Sequence, residues 1–185
     1  RELTRHLSRR ARSERRFIAS RRSLAGLRFC FPSSRAGRPG AFGRAQAFRE
    51  SPCELCDSPG GEPLWQDDFC RVVLIDDPDY PGFCRVVLKR HVREMTDLEP
   101  SERVRLMNAV FATEAVLRER LNPHKINIAS LGNLAPHLHW HVIPRHRDDR
   151  HFPRPVWAEP LRAEAPRRPA PDAAGLARAL RQRLD

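Results

Sequence analysis

The sequence predicts an α+β domain that is built on a mostly antiparallel sheet. Short runs of β-type residues occur in two clusters along the chain, and turn signals separate the runs within each cluster. One longer segment with apolar residues at helical spacing lies between the two clusters. Strands joined by short turns pair antiparallel, and strand clusters on either side of one helix are typical of the α+β class.

The first cluster contains three predicted strands, at residues 64–68, 71–75 and 83–88. The segment Asp77-Pro78-Asp79-Tyr80-Pro81-Gly82 separates the last two strands and is rich in turn residues. This arrangement predicts a hairpin.

A long helix is predicted to begin near Glu99-Pro100-Ser101-Glu102. Proline suits the first turn of a helix, and a carboxylate is favourable at its positive end. The helix has one apolar face, formed by Leu106, Val110, Leu117 and Leu121. Asn122-Pro123 should end it, because the residue before a proline disfavours the helical conformation.

The second cluster contains two predicted strands, at residues 125–130 and 138–143, joined by a short connection around Gly132-Asn133. Residues 145–171 are polar and rich in proline, which favours a surface loop. Residues 171–184 predict a short terminal helix that carries Leu176, Leu180 and Leu184.

Charge is distributed very unevenly along the chain. The formal net charge is +11, and residues 1–50 alone contain 14 Arg and 3 Glu, so residues 51–185 sum to zero. Any attraction to nucleic acid is therefore expected in residues 1–50 and not in the folded part. Residues 1–50 are predicted to be a disordered basic extension. An organelle transit peptide and a start-site extension are both compatible with this composition.

No apolar run approaches the roughly 20 residues of a membrane span, and no secretory signal is visible. We therefore expect a soluble protein without a membrane partner. The five cysteines cannot all pair, and the Cys53-x-x-Cys56 spacing favours a metal or redox pair. A reducing, cytoplasmic location is the corresponding expectation.

Three histidines alternate along the last predicted strand. Residues two apart point to the same face of a strand, so His137, His139 and His141 should form a row of imidazoles on one exposed strip, while Leu138, Trp140 and Val142 face the core. Imidazole titrates near neutral pH and can attack phosphorus to form a covalent intermediate. A metal site and a strand with structural histidines remain alternative interpretations of this spacing.

The segment His137-Leu138-His139-Trp140-His141-Val142-Ile143 resembles the His-x-His-x-His-x-x signature of the histidine triad (HIT) family, in which x is apolar, and Pro144-Arg145 follows it as in many members. The resemblance covers about residues 51–157. Its other matching segments are Cys53-Glu54-Leu55-Cys56, the strand ending at Asp76, Pro81-Gly82, Leu88-Lys89-Arg90-His91-Val92 and the aromatic segment from His151 to Trp157.

The resemblance implies a HIT-like fold: a five-stranded antiparallel sheet with one long helix and a short C-terminal helix, usually in a homodimer. It implies a nucleotide substrate and no organic cofactor. His139 would attack the α-phosphorus through Nε2, its tautomer fixed by a backbone carbonyl. His141 would contact the phosphate or leaving group, and His137 would orient the nucleophile.

The same resemblance assigns further site residues. Asp76 would bind the ribose, and Ser130 and Asn133 would contact the nucleotide. Many members carry Gln where this chain has Asn133, and their connection is several residues longer. Some bacterial members hold a structural zinc with residues that match Cys53, Cys56, His91 and His137. A reduced thiol pair is the alternative there, while Cys30, Cys70 and Cys84 are interpreted as ordinary tail or core residues.

The sequence thus predicts three regions: the extension at 1–50, a HIT domain at 51–157, and a tail with a short helix at 158–185. The function implied is a nucleotide hydrolase or transferase that cleaves a phosphoanhydride or phosphoramidate, with dinucleoside polyphosphates as substrates. One alternative is a zinc-stabilised nucleotide-binding regulatory module without significant turnover. Another is an aprataxin-type DNA deadenylase, which only the basic extension supports.

Overall fold

A computed structural model describes residues 52–185 of the chain. The predictions for residues 1–50 and for Cys30 lie outside the described residues. The elements in chain order are α1 (Glu54–Asp57), β1 (Glu62–Gln66), β2 (Cys70–Leu74), β3 (Cys84–Leu88), a short 3-10 helix (Met95–Asp97), α2 (Pro100–Leu121), β4 (Lys125–Ala129), β5 (His139–Arg145) and α3 (Ala173–Leu184). Within the described range, no helix combines the length and apolar character of a membrane span.

The five strands form one sheet in the order β1-β2-β3-β5-β4, and every neighbouring pair is antiparallel. The predicted five-stranded antiparallel sheet is therefore confirmed. Short turns join β1 to β2 and β2 to β3, as the turn residues require. In the second turn Gly82 adopts a φ of 92°, and an added Cβ would lie 2.4 Å from the side chain of Leu121. Any other residue would be strained by the positive φ and would have to displace the side chain of Leu121.

The long helix α2 begins and ends where the sequence predicts. Glu99 caps it in a reciprocal capping box with Glu102, and Pro100 occupies the first turn. Asn122 ends it in the left-handed conformation, with its backbone N–H bonded to the carbonyl of Arg118. The helix covers one face of the sheet.

The core lies between α2 and this face, where alternate strand residues are buried. Helix α3 joins the same core through Leu176 and Leu180, and it packs against α2 and β1. The indole of Trp65 also donates a hydrogen bond to the carboxylate of Asp185, at 2.8 Å. The short terminal helix is thus part of the domain core.

The opposite face of the sheet is covered by two chain segments, of which the first contains the short helix α1. The segment after Cys53 packs through Leu55 onto Val73 and Val87. The segment after β5 is tied down by a buried ion pair, in which Arg145 Nε lies 2.9 Å from Asp149 Oδ2. The strip of sheet between these two segments carries the histidines.

Strands β2 and β3 have the same sequence, Cys-Arg-Val-Val-Leu, and lie side by side. They pair antiparallel, with Cys70 opposite Leu88 and Leu74 opposite Cys84. In each strand the cysteine, the first valine and the leucine face α2. The arginine and the second valine face the histidine side.

Candidate active site

The three histidines lie at the start of β5 and just before it. His139 and His141 lie in β5, whereas His137 lies just before the strand. The antiparallel pairing nevertheless continues beyond the strand, because Leu138 bonds to the backbones of Val92 and Leu88. The rings of His139 and His141 meet edge to face, with centroids 4.7 Å apart. The expectation of an exposed strip is wrong, since the three side chains are buried.

The His139 ring has a fixed tautomer. Its Nδ1 donates a hydrogen bond to the backbone carbonyl of His137 at 2.6 Å, which leaves the lone pair on Nε2. Burial lowers the pKa of His139, with a smaller lowering from the charge of Arg85, while the bond to the carbonyl raises it. Because the net pKa is below its ordinary value, the ring is neutral at pH 7 and able to attack an electrophile.

The His141 ring is held in an aromatic cage. Its centroid lies 5.5 Å from Phe83 and 5.2 Å from Trp157. Burial, followed by the neighbouring charges of His139 and Arg85, lowers the pKa of His141 to about 4. Its Nδ1 is buried and has no hydrogen-bond partner among residues 52–185. A neutral ring with an unused polar atom can contact a phosphate or a leaving group.

His137 turns its other ring nitrogen toward two thiols. Its Nε2 donates to the carbonyl of Leu88 at 2.6 Å, so the lone pair is on Nδ1. This Nδ1 lies 3.4 Å from the sulfur of Cys53 and 3.4 Å from that of Cys56. The Nδ1 of His91 lies 3.3 Å from the sulfur of Cys56.

These four side chains could hold a metal ion, because their ligand atoms all lie within 4.8 Å of one another. Tetrahedral bonds of about 2.0–2.3 Å space nitrogen and sulfur ligands by roughly 3.3–3.8 Å, which matches the separations above. The set of two cysteines and two histidines suits a soft, closed site.

Arg71 fixes the turn that carries the two cysteines, a role that the sequence analysis missed. Its guanidinium donates to the carbonyls of Leu55 (2.6 Å), Ser58 (3.0 Å) and Pro59 (2.9 Å). Its positive charge also lowers the pKa of the Cys56 thiol, although burial and Cys53 raise it overall. An arginine in a predicted strand gives no sign that it will bind a turn twelve or more residues earlier.

The predicted nucleotide-binding residues lie in different places. Asp76 is exposed and lines an open cleft of about 1200 Å³ between the β2–β3 turn and residues 163–173. Ser130 donates its hydroxyl to the backbone carbonyl of His139 at 2.8 Å. Asn133 is exposed in the connection before His137, and its side chain makes no hydrogen bond within residues 52–185. The structure therefore brings Ser130, but not Asn133, into contact with a triad histidine.

A second, smaller cleft of about 250 Å³ is lined in part by Ser130 and His137. Neither cleft is lined by His139. His139 is 6% exposed, and the half-exposed Trp157 packs against its neighbour His141.

Arg85 is a second residue that the sequence analysis missed. It lies opposite His141 in the β3–β5 pairing and on the histidine face. Strand alternation alone does not tell which of the two faces of the sheet Arg85 occupies. The pairing with β5, which relates it to His141, becomes known only from the fold.

Comparison with known proteins gives one consistent result. The HIT domain family matches residues 62–148. An AP-4-A phosphorylase from Mycobacterium tuberculosis is 34% identical over 114 residues, covering 58% of this chain and 57% of that protein. A bis(5'-nucleosyl)-tetraphosphatase (asymmetrical) from Schizosaccharomyces pombe is 32% identical over 77 residues, covering 39% and 42%. The chain thus spans about half the length of the curated relatives it matches.

Two crystal structures agree over a larger share. A histidine triad protein from Bradyrhizobium japonicum is 30% identical, with 69% of this chain and 92% of that chain covered and a TM-score of 0.56. One from Sinorhizobium meliloti is 28% identical, with coverages of 68% and 91% and a TM-score of 0.55. The triad, its antiparallel sheet and these relatives agree, and the chain belongs to the histidine triad (HIT) family.

Proposed function

We propose that this protein cleaves a nucleoside phosphoanhydride or phosphoramidate through a nucleotidyl-histidine at His139. The observation that carries the proposal is the 2.6 Å hydrogen bond from His139 Nδ1 to the carbonyl of His137, which leaves the lone pair of the neutral ring on Nε2 as the nucleophile. The names of the curated relatives favour dinucleoside polyphosphates as substrates.

The first step forms a bond from Nε2 to the α-phosphorus. The bond from phosphorus to the leaving oxygen or nitrogen breaks, and its electron pair departs with the leaving group. The ring then carries a positive charge, which the bond from Nδ1–H to the His137 carbonyl stabilises. His141, with its unpartnered nitrogen, contacts the phosphate or leaving group.

The second step releases the nucleotide. An acceptor oxygen attacks the phosphorus, the bond to Nε2 breaks, and its electron pair returns to the ring, while the acceptor's proton passes to solvent. Water as acceptor yields a nucleoside monophosphate, and inorganic phosphate yields a nucleoside diphosphate. In this scheme Asp76 accepts hydrogen bonds from the ribose hydroxyls, and Ser130 and Asn133 contact the nucleotide near the phosphate.

The test compares wild type with His139→Ala on diadenosine tetraphosphate and adenosine phosphoramidate. We expect turnover to fall by a factor of about 10³ or more, since loss of a nucleophile commonly costs this much. The exposed His124 offers a matched control, and His124→Ala should retain full activity. Acid quenching of the wild type should trap a nucleotidyl adduct that His139→Ala lacks. Retained turnover in His139→Ala would contradict the mechanism, and tight binding without turnover in the wild type would favour a regulatory module.

We also propose that Cys53, Cys56, His91 and His137 hold a structural zinc ion. Bound zinc would tie the segment before β1 to the segment before β5, and four protein ligands leave it no open position for substrate. Metal analysis of Cys53→Ser should show loss of about one zinc per chain, whereas Cys70→Ala, a cysteine of the core, should keep its metal. An unchanged zinc content in Cys53→Ser would exclude this site.

A homodimer is the proposed assembly. Strand β4 is at the edge of the sheet. Helix α2 exposes two apolar side chains, Phe111 (54% exposed) and Val104 (61% exposed). Edge strands and exposed apolar side chains favour association with a second copy. In sedimentation experiments Phe111→Asp should convert the dimer to a monomer. Leu161→Asp, which changes another exposed apolar residue, should remain a dimer. A monomeric wild type would contradict the proposal.

A further inference from the structure

Arg85 is a partly buried cation that lacks a partner. Its Nε–H is fully buried and finds no hydrogen-bond acceptor among residues 52–185, and the same part of the chain provides its guanidinium with no ion pair. Burial lowers the pKa of this guanidinium. Within residues 52–185, the charge of one carboxylate acts on it, that of the exposed Glu54, which is not in salt-bridge contact.

The neighbouring strand shows what a structural arginine does in this position. Arg71 occupies the equivalent place in the identical sequence Cys-Arg-Val-Val-Leu and donates to three backbone carbonyls. Arg85 donates to no backbone carbonyl of the part of the chain that the structure describes. The strand sequence therefore does not explain its unpaired state, and burying an unpaired charge costs stability. A residue that the fold alone does not compensate is a candidate for binding an anion.

The surroundings of Arg85 match a phosphate site. It pairs across β3 and β5 with His141, on the face of the sheet that carries the histidines. Its charge lowers the pKa of both His139 and His141. Its Cζ lies 5.9 Å from the centroid of Phe83, which also packs against His141. The planar guanidinium can form two parallel hydrogen bonds to phosphate oxygens.

We propose that Arg85 binds the phosphate chain of the substrate and makes the site select nucleoside polyphosphates over nucleoside phosphoramidates. This inference rests on the proposed function. A polyphosphate brings several negative charges to the site, whereas a phosphoramidate brings about one, and Coulomb attraction to a fixed cation grows with that charge. In the partly buried setting beside β5 the attraction is screened less than at the surface.

The test uses Arg85→Met, which keeps the length of the side chain and removes its charge. We expect kcat/KM for diadenosine tetraphosphate to fall about 10- to 100-fold, the range for a hydrogen bond to a charged group, and the value for adenosine phosphoramidate to change much less. Arg85→Lys should lie between wild type and Arg85→Met. Lys89→Met removes an exposed charge just after the same strand and should leave both values unchanged.

An equal loss on both substrates would overturn the inference, because Arg85 would then act on a part that both share. No loss on either substrate would overturn it as well.

Calorimetric binding of inorganic tripolyphosphate to wild type and Arg85→Met separates this inference from the proposed function, since binding needs no turnover. Weaker binding to Arg85→Met supports the phosphate site even if neither nucleotide is cleaved, and equal binding rejects it. The melting temperature of Arg85→Met should not be lower than that of the wild type, since the substitution removes no hydrogen bond or ion pair within residues 52–185 and relieves a buried unpaired charge.

Discussion

The backbone carbonyl of His137 accepts the hydrogen bond of His139 Nδ1, while the side chain of His137 directs its own Nδ1 at Cys53 and Cys56. One residue therefore belongs to both candidate sites. Any change that moves His137 therefore changes the orientation of the proposed nucleophile.

This link predicts that Cys56→Ser lowers kcat and leaves KM nearly unchanged. The variant weakens the proposed metal site and loosens the His137 carbonyl, and the loss of supporting contacts around a site commonly costs 10- to 100-fold in activity. Steady-state kinetics with diadenosine tetraphosphate provides the measurement, and Cys70→Ala is the control. A rise in KM at constant kcat would argue that the cysteines act on substrate binding instead.

Stability should depend on pH through His141. Burial lowers the pKa of His141 to about 4 from an unfolded value of 6.5, so the unfolded chain binds more protons between these limits. The stabilisation of the neutral ring is therefore complete above pH 6.5 and is lost as the pH falls toward 4. The slope from this residue is at most about 1.4 kcal/mol per pH unit.

Urea titrations at a series of pH values measure this slope. His141→Gln should reduce it between pH 6.5 and 4, while His124→Gln, an exposed imidazole, should not. An undiminished slope in His141→Gln would assign the acid sensitivity to other groups, such as His137 and His139, whose pKa values burial also lowers.

Asp149→Ala should destabilise the fold by about 3–5 kcal/mol, because it leaves the buried charge of Arg145 without its carboxylate. The same carboxylate accepts a hydrogen bond from the backbone of His146 at 2.7 Å. The neighbouring Asp148 has a half-exposed side chain, so Asp148→Ala should cost less than about 1 kcal/mol. Equal effects in urea denaturation would show that the Arg145–Asp149 pair does not anchor the segment after β5.

Leu176→Ala tests the packing of α3. The side chain is 2% exposed and lies in the main core, and removal of a buried leucine commonly costs about 2–5 kcal/mol. The same substitution at Leu161, which is 46% exposed, should have little effect. Thermal unfolding of both variants measures the difference. An equal loss of stability in Leu161→Ala would contradict the packing of α3 into the core.

The elements of this fold were predictable because their signals are local. Apolar residues at helical spacing, Pro100 at the start and Asn122 at the end define α2, and Gly82 marks a turn that only glycine fits. The packing of α3 was not predictable in the same way. A short amphipathic helix shows that it has an apolar face, but not which surface that face will cover.

The site was predictable to the extent that it depends on spacing. The alternating histidines predicted which three residues form the triad and that they share one face of the strand. The spacing of Cys53 and Cys56 indicated a metal-binding pair. Burial of the rings and the partners of Arg71 and Arg85 depend on contacts between distant segments. Such contacts follow from strand register and from the path of the chain after β5, neither of which is encoded locally.

The shared pentapeptide of β2 and β3 has a consequence for how the chain folds. During folding, β5 meets two chemically identical segments that could become its neighbour, so the strand residues themselves do not discriminate between correct and exchanged pairing. The discrimination comes from the flanks: Leu88 continues toward Val92, whose carbonyl binds the backbone of Leu138, whereas Leu74 continues into the Gly82 turn. The connecting segments, more than the strands, therefore encode the order of this sheet.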